Sequence, residues 1–453
     1  MRTQIFLAST LYGAATLAAA LDAGSFEPAD RRLLLVTNNA ATPETTTPLD
    51  RMAGFERLRG RFDRVLSWND AIRPFHPAGW SPRADDVPLW ERHLRLLWGL
   101  GEPHQDTVEL VVESLQVNPA LALTQLFPES PVDVYADGLM SYGPTRNKLD
   151  PLVGTRVRRV LHLDLLPGLR PLLLTEFNVA AEVVPTEAFT AVLAELAKDA
   201  PPALTATVGA RPVLLLGQYL SALNILTGEE EEQLHVRMLR GAAALGHRRV
   251  VFKPHPVAPA RFSRALEKEA GELGVELTVL DTPVLAEVLY GQLRPALVVG
   301  CFSTALMTAA ALYGLPVARS GTGQLLERLT PYQNSNRIPV TLIDALLPDI
   351  GDPAAVESWS PAEAGRVTEE ITELVRTVGF CMQAQIYPAL RADAERYLSG
   401  KLTDHTWRYF KRRRLTALAL PGAVPSQLAF LPRNPVVRRV ARRARAIKRG
   451  ARR

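Results

Sequence analysis

The chain has 453 residues, of which 47% are hydrophobic and 22% charged, a composition typical of a water-soluble globular protein. This length lets two domains bury full hydrophobic cores, which excludes a small scaffold held together by disulfides or metal. The two cysteines, Cys301 and Cys381, form no C-x-x-C pair. The sequence therefore contains neither a structural zinc motif nor a disulfide framework, and it indicates a reducing compartment.

The charge is distributed unevenly along the chain. Fifteen Lys and Arg and no Asp or Glu lie between Arg408 and Arg453, and because the whole chain carries +5, the other residues together carry −10. An acidic globule with a basic tail argues against a protein that binds nucleic acid over its whole surface. It indicates a local patch for phosphates or anionic lipid.

The apolar N-terminus resembles a signal peptide at first sight. Residues 3–9, however, fit a strand, and residues 10–23 fit a helix that ends at Gly24. No run of about 18 apolar residues is present, so we predict no membrane span. We expect the protein in the cytoplasm.

Short apolar strands alternate with helical segments along most of the chain, which is the pattern of parallel sheets built from β-α-β units. A linker rich in Ala, Pro and Thr at residues 198–212 divides the strands into two sets, and residues 361–410 are predicted to be helical. The predicted strands are residues 3–9, 32–37, 62–67, 109–113, 132–135 and 159–163 in the first set, and 212–216, 249–253, 276–280, 296–299 and 340–343 in the second.

Several common site motifs are absent. The loops at Gly99 and Gly321 lack the third glycine of a dinucleotide-binding loop, and there is no P-loop or nucleophile elbow. An Asp-x-Asp pair, the usual metal handle of one large transferase class, is also missing. We therefore expect neither a bound metal nor a cofactor.

The first candidate motif is Tyr135-Ala136-Asp137-Gly138, at the end of a predicted strand. Ligands of open parallel sheets bind beyond the carboxyl ends of strands, and a carboxylate there can take a proton from an incoming hydroxyl. Gly138 is expected to let the backbone turn sharply. An ordinary Asp-Gly turn explains the same residues.

Two further motifs end strands of the second set. In Lys253-Pro254-His255-Pro256 the two prolines fix the backbone of His255 and reduce the entropy lost in positioning its ring. After Gly300, the hydroxyl residues Ser303 and Thr304 open a helix whose N-terminus favours an anion. The alternatives are a packing histidine and a simple helix cap, which accounts for one of the two hydroxyls.

The three motifs are divided between the two strand sets. Asp137 belongs to the first set, whereas His255, Ser303 and Thr304 belong to the second. Domains that face each other bring such strand ends into one cleft. This division suits a transferase in which the second domain holds a nucleotide phosphate and the first activates an acceptor hydroxyl.

Four segments resemble the bacterial polysialyltransferase family, which is related to the capsule alpha-2,8-polysialyltransferases. They are Tyr-Ala-Asp-Gly-Leu-Met-Ser-Tyr-Gly at 135–143, Lys-Pro-His-Pro at 253–256, Cys-Phe-Ser-Thr-Ala-Leu at 301–306 and Asn-Ser-Asn-Arg-Ile-Pro-Val at 334–340. The likeness runs from about residue 4 to residue 345 and does not include the tail. It implies an inverting, metal-independent enzyme of GT-B fold that uses CMP-sialic acid.

The fold prediction is therefore an α/β protein of GT-B type, with two Rossmann-like domains facing across a cleft, C-terminal helices and a basic tail. The predicted boundaries are 1–200 for an acceptor domain, 211–350 for a CMP-donor domain, 360–410 for C-terminal helices and 411–453 for a basic amphipathic tail.

The resemblance also implies roles for individual residues. Asp137 becomes the general base, His255 the phosphate ligand or acid, and Ser303 and Thr304 further phosphate ligands. The chain departs from the family's acidic-acidic-Gly motif at Ala136. Acceptor binding or the tuning of the base is expected to differ accordingly.

Other residues are predicted to contact substrate. Arg146 and Arg337 are candidates for sugar carboxylates, because a guanidinium pairs bidentately with a carboxylate. The remaining candidates are Gly138, Gly217, Gln218, Lys253 and Asn336.

In the tail, apolar and basic residues alternate at helical spacing from Pro435 onward. A basic amphipathic helix of this kind lies on anionic bilayers. We expect a peripheral protein at the inner face of the plasma membrane, with a CMP-nonulosonic acid donor and a glycan or lipid-linked glycan acceptor. A disordered basic tail and a nucleic-acid arm are alternatives; the membrane is favoured because a lipid-linked acceptor requires the cleft beside the bilayer.

Two other functions stay open at this point. The first is another GT-B nucleotide-sugar transferase, or a 2-epimerase, with a uridine donor. The second is a non-catalytic adaptor that acts through its tail. In the favoured function the donor sugar is N-acetylneuraminic acid or a related nonulosonic acid such as Kdn.

Overall fold

Two parallel β-sheets, one in each half of the chain, form the framework of the protein. A computed structural model describes residues 1–199, 211–255, 258, 261–280 and 284–423. The central strands are short aliphatic runs, which a parallel sheet buries on both faces, and helices connect successive strands. The predicted α/β class with two sheet-containing halves is confirmed.

The first sheet has seven strands in the order β3-β2-β1-β4-β5-β6-β7. They are β1 (Arg2–Ala8), β2 (Arg31–Val36), β3 (Arg64–Ser67), β4 (Thr107–Glu113), β5 (Val132–Ala136), β6 (Val157–Leu163) and β7 (Ala180–Val184). β1 pairs with β2 on one side and β4 on the other, and Ile5, Phe6 and Leu7 are fully buried. The N-terminal segment is thus a core strand of the fold, as predicted.

Strand β7 has no counterpart among the predicted strands. Four of its five residues are exposed, and it forms the edge of the sheet beside β6. An exposed edge strand lacks the aliphatic run that marks the central strands, so the sequence pattern carries no signal for it.

The second sheet has five strands in the order β10-β9-β8-β11-β12. They are β8 (Val213–Leu216), β9 (Arg249–Lys253), β10 (Glu276–Val279), β11 (Leu297–Gly300) and β12 (Val317–Arg319). The strand predicted at 340–343 is wrong, because these residues belong to a helix, Arg337–Leu346. Ile338, Val340 and Ile343 are all fully buried, and an apolar run on a helix buried on most sides cannot be told from a strand by periodicity.

Helices cover both sheets and extend beyond the second. Those of the first half are α1 (Leu11–Asp22), α2 (Phe55–Arg59), α3 (Trp68–Ala71), α4 (Val87–Trp98), α5 (Ala120–Leu126), α6 (Pro151–Gly154) and α7 (Thr186–Ala197). The later ones are α8 (Gly228–Ala244), α9 (Arg261–Leu273), α10 (Ala286–Leu293), α11 (Thr304–Tyr313), α12 (Thr322–Arg328), α13 (Arg337–Leu346), α14 (Pro353–Ser358), α15 (Ala364–Arg366), α16 (Thr372–Gln383), α17 (Arg391–Gly400) and α18 (Arg412–Ala417).

The C-terminal helices tie the two halves together. Gly379 of α16 lies so close to Leu172 of the first half that a Cβ there would stand 2.9 Å from the leucine side chain. Tyr387, just after α16, donates its hydroxyl to Glu176 at 2.6 Å and accepts from the Thr145 N–H at 2.9 Å. Residues 424–453, which hold most of the predicted basic tail, lie outside the described residues.

The halves also meet through α7, which packs against α1 of the first half and α10 of the second. The carboxyl ends of the two sheets lie opposite each other, because the loop after β5 contacts the start of α11, which follows β11. Within the described part of the chain, no helix is both long enough and apolar enough to cross a bilayer.

Candidate active site

The loop after β5 and the start of α11 touch across the cleft between the halves. Asp137 and Gly138 follow β5 directly, and the Leu139 N–H donates a hydrogen bond to Thr304 Oγ1 at 3.3 Å. Ser303 is the N-cap of α11, with its Oγ accepting from the Ala305 N–H at 3.2 Å. The structure therefore brings Asp137, Gly138, Ser303 and Thr304 together, although they come from different sheets.

Gly138 is needed for a reason other than the predicted turn. Its φ of −134° and ψ of 176° are extended values that any residue adopts. A Cβ on Gly138, however, would stand 3.1 Å from Thr304 Oγ1. Gly138 therefore allows the two halves to approach closely. The prediction that it allows a sharp turn is wrong.

A cavity of about 410 Å³ lies between the two sheets, and we call it the Lys253 cavity. Its wall combines the N-terminus of α1, the Asp137 loop, the end of β9 and the start of α11. The lining residues are Ser9–Tyr12, Met52, Asp137, Gly138, Lys253, Val284–Glu287 and Ser303–Ala305. Five of the predicted site residues thus line one cavity.

Two groups on the wall of the Lys253 cavity favour an anion, the Lys253 ammonium and the N-terminus of α11, whereas Asp137 and Glu287 add carboxyls to the same wall. Desolvation lowers the pKa of Lys253, and the nearby Glu287 carboxylate opposes that shift. Glu287 is 4% exposed and accepts a hydrogen bond from Thr308 Oγ1 at 2.7 Å. The N-terminus of the ten-residue helix α11 adds the positive end of its dipole. The sequence analysis missed Glu287, although a single acidic residue in an otherwise apolar helical segment would have pointed to it.

Asp137 has the electrostatic properties of a base poised near neutral pH. Burial raises its pKa to about 6, and a backbone hydrogen bond within the same residue opposes the shift. Gly13 of α1 stands nearby, since a Cβ there would lie 3.3 Å from Asp137 Oδ2. A general base works best when its pKa lies close to the working pH.

A second cavity, of about 350 Å³, lies on the other side of the Asp137 loop, and we call it the Glu113 cavity. Asp137, Gly138 and Thr304 line it as well as the Lys253 cavity, and Arg146 and Ser335 lie further along its wall. Glu113 ends β4, the strand beside β5. The sequence analysis missed Glu113, although an acid at a strand end is the same signal that identified Asp137.

A wider groove of about 1090 Å³ continues from the Glu113 cavity, and we call it the Arg146 groove. Met140, Arg146 and Ser335 line both spaces. The groove wall is rich in amide side chains, namely Asn147, Gln333, Asn334, Asn336, Gln383 and Gln385, and it also contains Lys148. The predicted residues Arg146 and Asn336 therefore share one groove.

Hydrogen bonds to its backbone hold Arg146 in place, and within the described residues its guanidinium Nε has no hydrogen-bond partner. Its N–H donates to the Gln116 side chain, and its carbonyl accepts from the Gln383 side chain. Nε is buried without a hydrogen-bond partner among the described residues. Desolvation lowers the pKa of Arg146, so an incoming carboxylate would meet a poorly solvated cation.

His255 lies at the rim of the second sheet and does not line the two cavities beside Asp137. The residue is exposed, and its ring centroid lies 6.3 Å from that of Tyr219. Partial desolvation and then the charge of Lys253 lower the pKa of His255. The imidazolium form expected from the sequence therefore needs an anion beside the ring to stabilise it.

Gly217 and Gln218 directly follow β8, next to the other predicted donor residues. The Gly217 N–H donates to the Lys253 carbonyl at 2.9 Å, and Gln218 Oε1 accepts from the Phe302 N–H at 2.9 Å. A Cβ on Gly217 would stand 3.1 Å from Pro254 Cα. In this structure both residues hold neighbouring strand ends together, and neither lines the Lys253 cavity.

The expected role of Arg337 in binding a sugar carboxylate does not fit its position. Arg337 is 0% exposed, and it donates from Nε to the Tyr332 carbonyl and from Nη2 to the Leu329 carbonyl, both at 2.9 Å. Its guanidinium carbon also lies 4.1 Å from the centroid of the Tyr332 ring. The side chain therefore lies in the interior, where its hydrogen bonds stabilise the loop before α13.

Replacing Arg337 should therefore affect stability and not substrate binding. We expect Arg337→Met to lower the free energy of unfolding by about 3 kcal/mol, because the two buried carbonyls lose their donors. Denaturant unfolding measures this loss, and calorimetric titration of CMP should give an unchanged Kd. Arg366→Met, which removes an exposed ion pair, is the control with little expected change. Unchanged stability together with weakened substrate binding would show that Arg337 binds substrate after all.

The two sheets, their facing carboxyl ends and the cavities between them define an α/β protein of GT-B type. Within the described residues, no group of three or more His, Cys, Asp or Glu side chains is arranged to hold a metal ion. The profile of the alpha-2,8-polysialyltransferase (POLYST) family matches residues 4–322. The chain belongs to this family, and it is thus a sialyltransferase-like glycosyltransferase.

Comparison with curated protein sequences gave no match, whereas many solved structures are similar in fold. A Photobacterium damselae sialyltransferase, residues 113–497, has 12% identity and a TM-score of 0.39, covering 76% of this chain and 96% of that one. A Photobacterium 2,6-sialyltransferase in complex with CMP and lactose has 12% identity and a TM-score of 0.43, covering 76% and 75%. The UDP-GlcNAc 2-epimerase of Methanocaldococcus jannaschii has 12% identity and a TM-score of 0.43, covering 82% and 93%. With these low scores, the fold assignment rests on the two sheets described above.

Proposed function

We propose that this protein is an inverting, metal-independent glycosyltransferase that moves sialic acid, or a related nonulosonic acid, from a CMP-activated donor to a glycan hydroxyl. The observation that carries the proposal is the contact across the cleft, where the Asp137 loop of one half meets the helix N-terminus at Ser303 and Thr304 of the other. We place the reaction in the synthesis of a capsule or another cell-surface polysaccharide.

The Lys253 cavity suits the leaving phosphate of CMP. Lys253, the two hydroxyls and the N-terminus of α11 are all groups that stabilise negative charge, and they stand on one wall. Preorganised donors of this kind each contribute about 3 kcal/mol in oxyanion holes. His255 stands near Lys253 and, in this proposal, reaches the phosphate from the rim.

The proposed chemical step balances without a co-reactant. The acceptor O–H bond breaks, its proton goes to a carboxylate oxygen of Asp137, and the acceptor oxygen bonds to the anomeric carbon. The bond from that carbon to the phosphate oxygen breaks, and CMP leaves with the electron pair. In this proposal Asp137 and the phosphate ligands act on opposite faces of the sugar, so the configuration inverts.

The Arg146 groove suits the acceptor. It opens from the cavity that holds Asp137, and its amide side chains can exchange hydrogen bonds with sugar hydroxyls. Arg146 and Lys148 add positive charge for an acidic glycan. The Photobacterium 2,6-sialyltransferase carries lactose as its acceptor and CMP as its donor product, and we propose the same classes of substrate for this chain.

The experiment that tests this function is incubation of the protein with CMP-nonulosonic acids and with UDP-sugars, each with a panel of glycan acceptors, followed by mass spectrometry. We expect mass added only from CMP donors, and equal yield with and without EDTA. Transfer or epimerisation from a UDP-sugar would replace the proposal by one of the alternatives. Activity lost to EDTA and restored by Mg²⁺ or Mn²⁺ would contradict the metal-independent mechanism.

We further propose that the basic tail holds the enzyme at the inner face of the plasma membrane. Removing residues 423–453 should release the protein from anionic vesicles but leave transfer to a soluble acceptor nearly unchanged, because each Lys or Arg near such a surface contributes about 1 kcal/mol. Vesicle co-sedimentation measures the binding. A variant with Arg438, Arg439, Arg442 and Arg443 all changed to Gln tests charge at constant length. Absence of vesicle binding by the intact protein, or salt-resistant binding by the truncated one, would contradict this role.

A further inference from the structure

Glu113 and Asp137 are two carboxyls of one cavity that end neighbouring strands. Glu113 of β4 is the register partner of Tyr135 of β5, two residues before Asp137. Both acids line the Glu113 cavity, and the residue between Tyr135 and Asp137 is Ala136, which offers no carboxyl of its own. The second carboxyl of this space therefore comes from the adjacent strand.

Tyr135 and Gly13 keep the two acids close. The Tyr135 hydroxyl lies 3.3 Å from Glu113 Oε2 and 3.0 Å from the Leu7 carbonyl. A Cβ on Gly13 would stand 3.0 Å from the Tyr135 hydroxyl and 3.3 Å from Asp137 Oδ2. A Cβ at Gly13 would fit tightly against both atoms, so the glycine lets the start of α1 pack closely against Tyr135 and Asp137.

Burial raises the pKa of Glu113 to about 7, hydrogen bonds from Ser9 and Tyr135 oppose the rise, and the Asp137 charge adds to it. Other titratable groups surround the pair. Burial raises the pKa of Tyr12 of α1, and the charges of Glu287 and then Asp137 raise it further. Arg146 lines the Glu113 cavity, and Lys253 and Glu287 line the Lys253 cavity beyond Asp137.

We propose that Glu113 is a positioning residue that sets the proton affinity of Asp137, because the two carboxyls lie at the ends of neighbouring strands and line one cavity. This inference rests on the transfer reaction proposed above. Coulombic coupling between two sites is reciprocal, so an ionised Glu113 makes Asp137 a stronger base. A stronger base takes the acceptor proton faster.

The coupling predicts a particular pH dependence. The pKa of Glu113 is raised to about 7 and that of Asp137 to about 6, so we expect the pair to bind protons in two steps. As the pH falls, Glu113 gains its proton first, which weakens Asp137 as a base, and then Asp137 gains its own, which removes the base. In the wild-type protein, kcat/KM should therefore fall through two ionisations on the acid side.

The test compares pH profiles of kcat/KM for wild type, Glu113→Gln, Glu113→Asp and the exposed control Glu129→Gln. Glu113→Gln should lose the ionisation near pH 7, keep the one near pH 6 and show a lower plateau. Glu113→Asp should restore the two-step profile, and Glu129→Gln should match wild type. A merely structural role would lower the plateau without removing an ionisation, and a two-step profile in Glu113→Gln would overturn the proposal.

A spectroscopic arm separates this inference from the proposed function. Difference infrared titration of the protonated carboxyl band needs no substrate, and it should show a band near pH 7 that Glu113→Gln removes. In Tyr135→Phe, Glu113 loses a donor that lowers its pKa, so the upper ionisation should move to higher pH. If both the band loss in Glu113→Gln and the shift in Tyr135→Phe occur but no sugar is transferred, the proposed function is contradicted and the coupling is not. Absence of a band lost in Glu113→Gln, or an upper step that stays fixed in Tyr135→Phe, would refute the coupling.

Discussion

Asp137→Asn is expected to lower kcat by at least about 100-fold while the Kd of CMP stays unchanged. The amide keeps the shape of the side chain but cannot accept the acceptor proton, and a positioned base contributes about 10² to 10⁴ in rate. CMP binding should be kept because the ligands proposed for its phosphate belong to β9 and α11, and Asp137, although it lines the same cavity, is not one of them. Initial-rate kinetics and calorimetric titration of CMP measure the two quantities.

The loss should not come from unfolding. Burial raises the pKa of Asp137 from 3.8 to about 6, so the folded state binds this proton more tightly than the unfolded state, and stability falls as pH rises towards 6. Above that pH the buried, ionised carboxylate destabilises the folded state, and the neutral amide of the variant does not. At pH 8 the Tm of Asp137→Asn should equal or exceed that of wild type.

Asp404→Asn, at an exposed position, is the control and should leave both kinetics and binding at wild-type values. Wild-type kcat in Asp137→Asn with an authentic acceptor would show that another group is the base.

The double change Ser303→Ala/Thr304→Ala is expected to raise the Kd of CMP by at least about 100-fold. Hydrogen bonds to a charged group contribute about 1.5 to 3 kcal/mol each, and the double change removes two of the donors proposed for the phosphate. This is the opposite pattern to Asp137→Asn, because here nucleotide binding itself is lost. Titration of CMP into both proteins shows the contrast directly.

Helix capping has to be separated from phosphate binding in this variant. Ser303 caps α11, and loss of an N-cap costs about 1 kcal/mol of stability. Thr227→Ala is the matched control, since Thr227 caps α8 in a capping box with Glu230 and lines neither cavity. Thr227→Ala should lose similar stability with an unchanged Kd. Equal CMP affinity in the double variant and wild type would leave Ser303 and Thr304 with the capping role alone.

Much of the sheet framework was predictable because central parallel strands are short aliphatic runs that end at polar residues. β9 begins and ends where the sequence predicted, and β11 ends at Gly300, one residue after the predicted end. Strand ends also led to the prediction of Asp137, Ser303 and Lys253, since open sheets gather ligands at that edge, and the structure places all three around the Lys253 cavity. β7 was not predicted because an exposed strand lacks an aliphatic run, and β12 because it has only three residues. Residues 340–343 of α13 resemble a strand because four consecutive buried residues are too few to show a helical period.

Contacts between the halves were not predictable from local pattern. The approach of Thr304 to Gly138 depends on how the two sheets face each other, and no property of residues 135–143 alone encodes it. Arg337 looked like a ligand because small polar residues surround it in sequence, yet its side chain turns inward to backbone carbonyls. Glu113 carries a strand-end signal, but its meaning appears only when β4 and β5 are paired.

The most direct test of the central claim is a crystal structure with a non-transferable CMP-sialic acid analogue and a short glycan acceptor. We predict the phosphate within about 3 Å of the Ser303 and Thr304 donors, and the anomeric carbon between that phosphate and Asp137. The acceptor should extend into the Arg146 groove. A nucleotide bound away from the start of α11, or Asp137 on the same face of the sugar as the phosphate, would contradict the account.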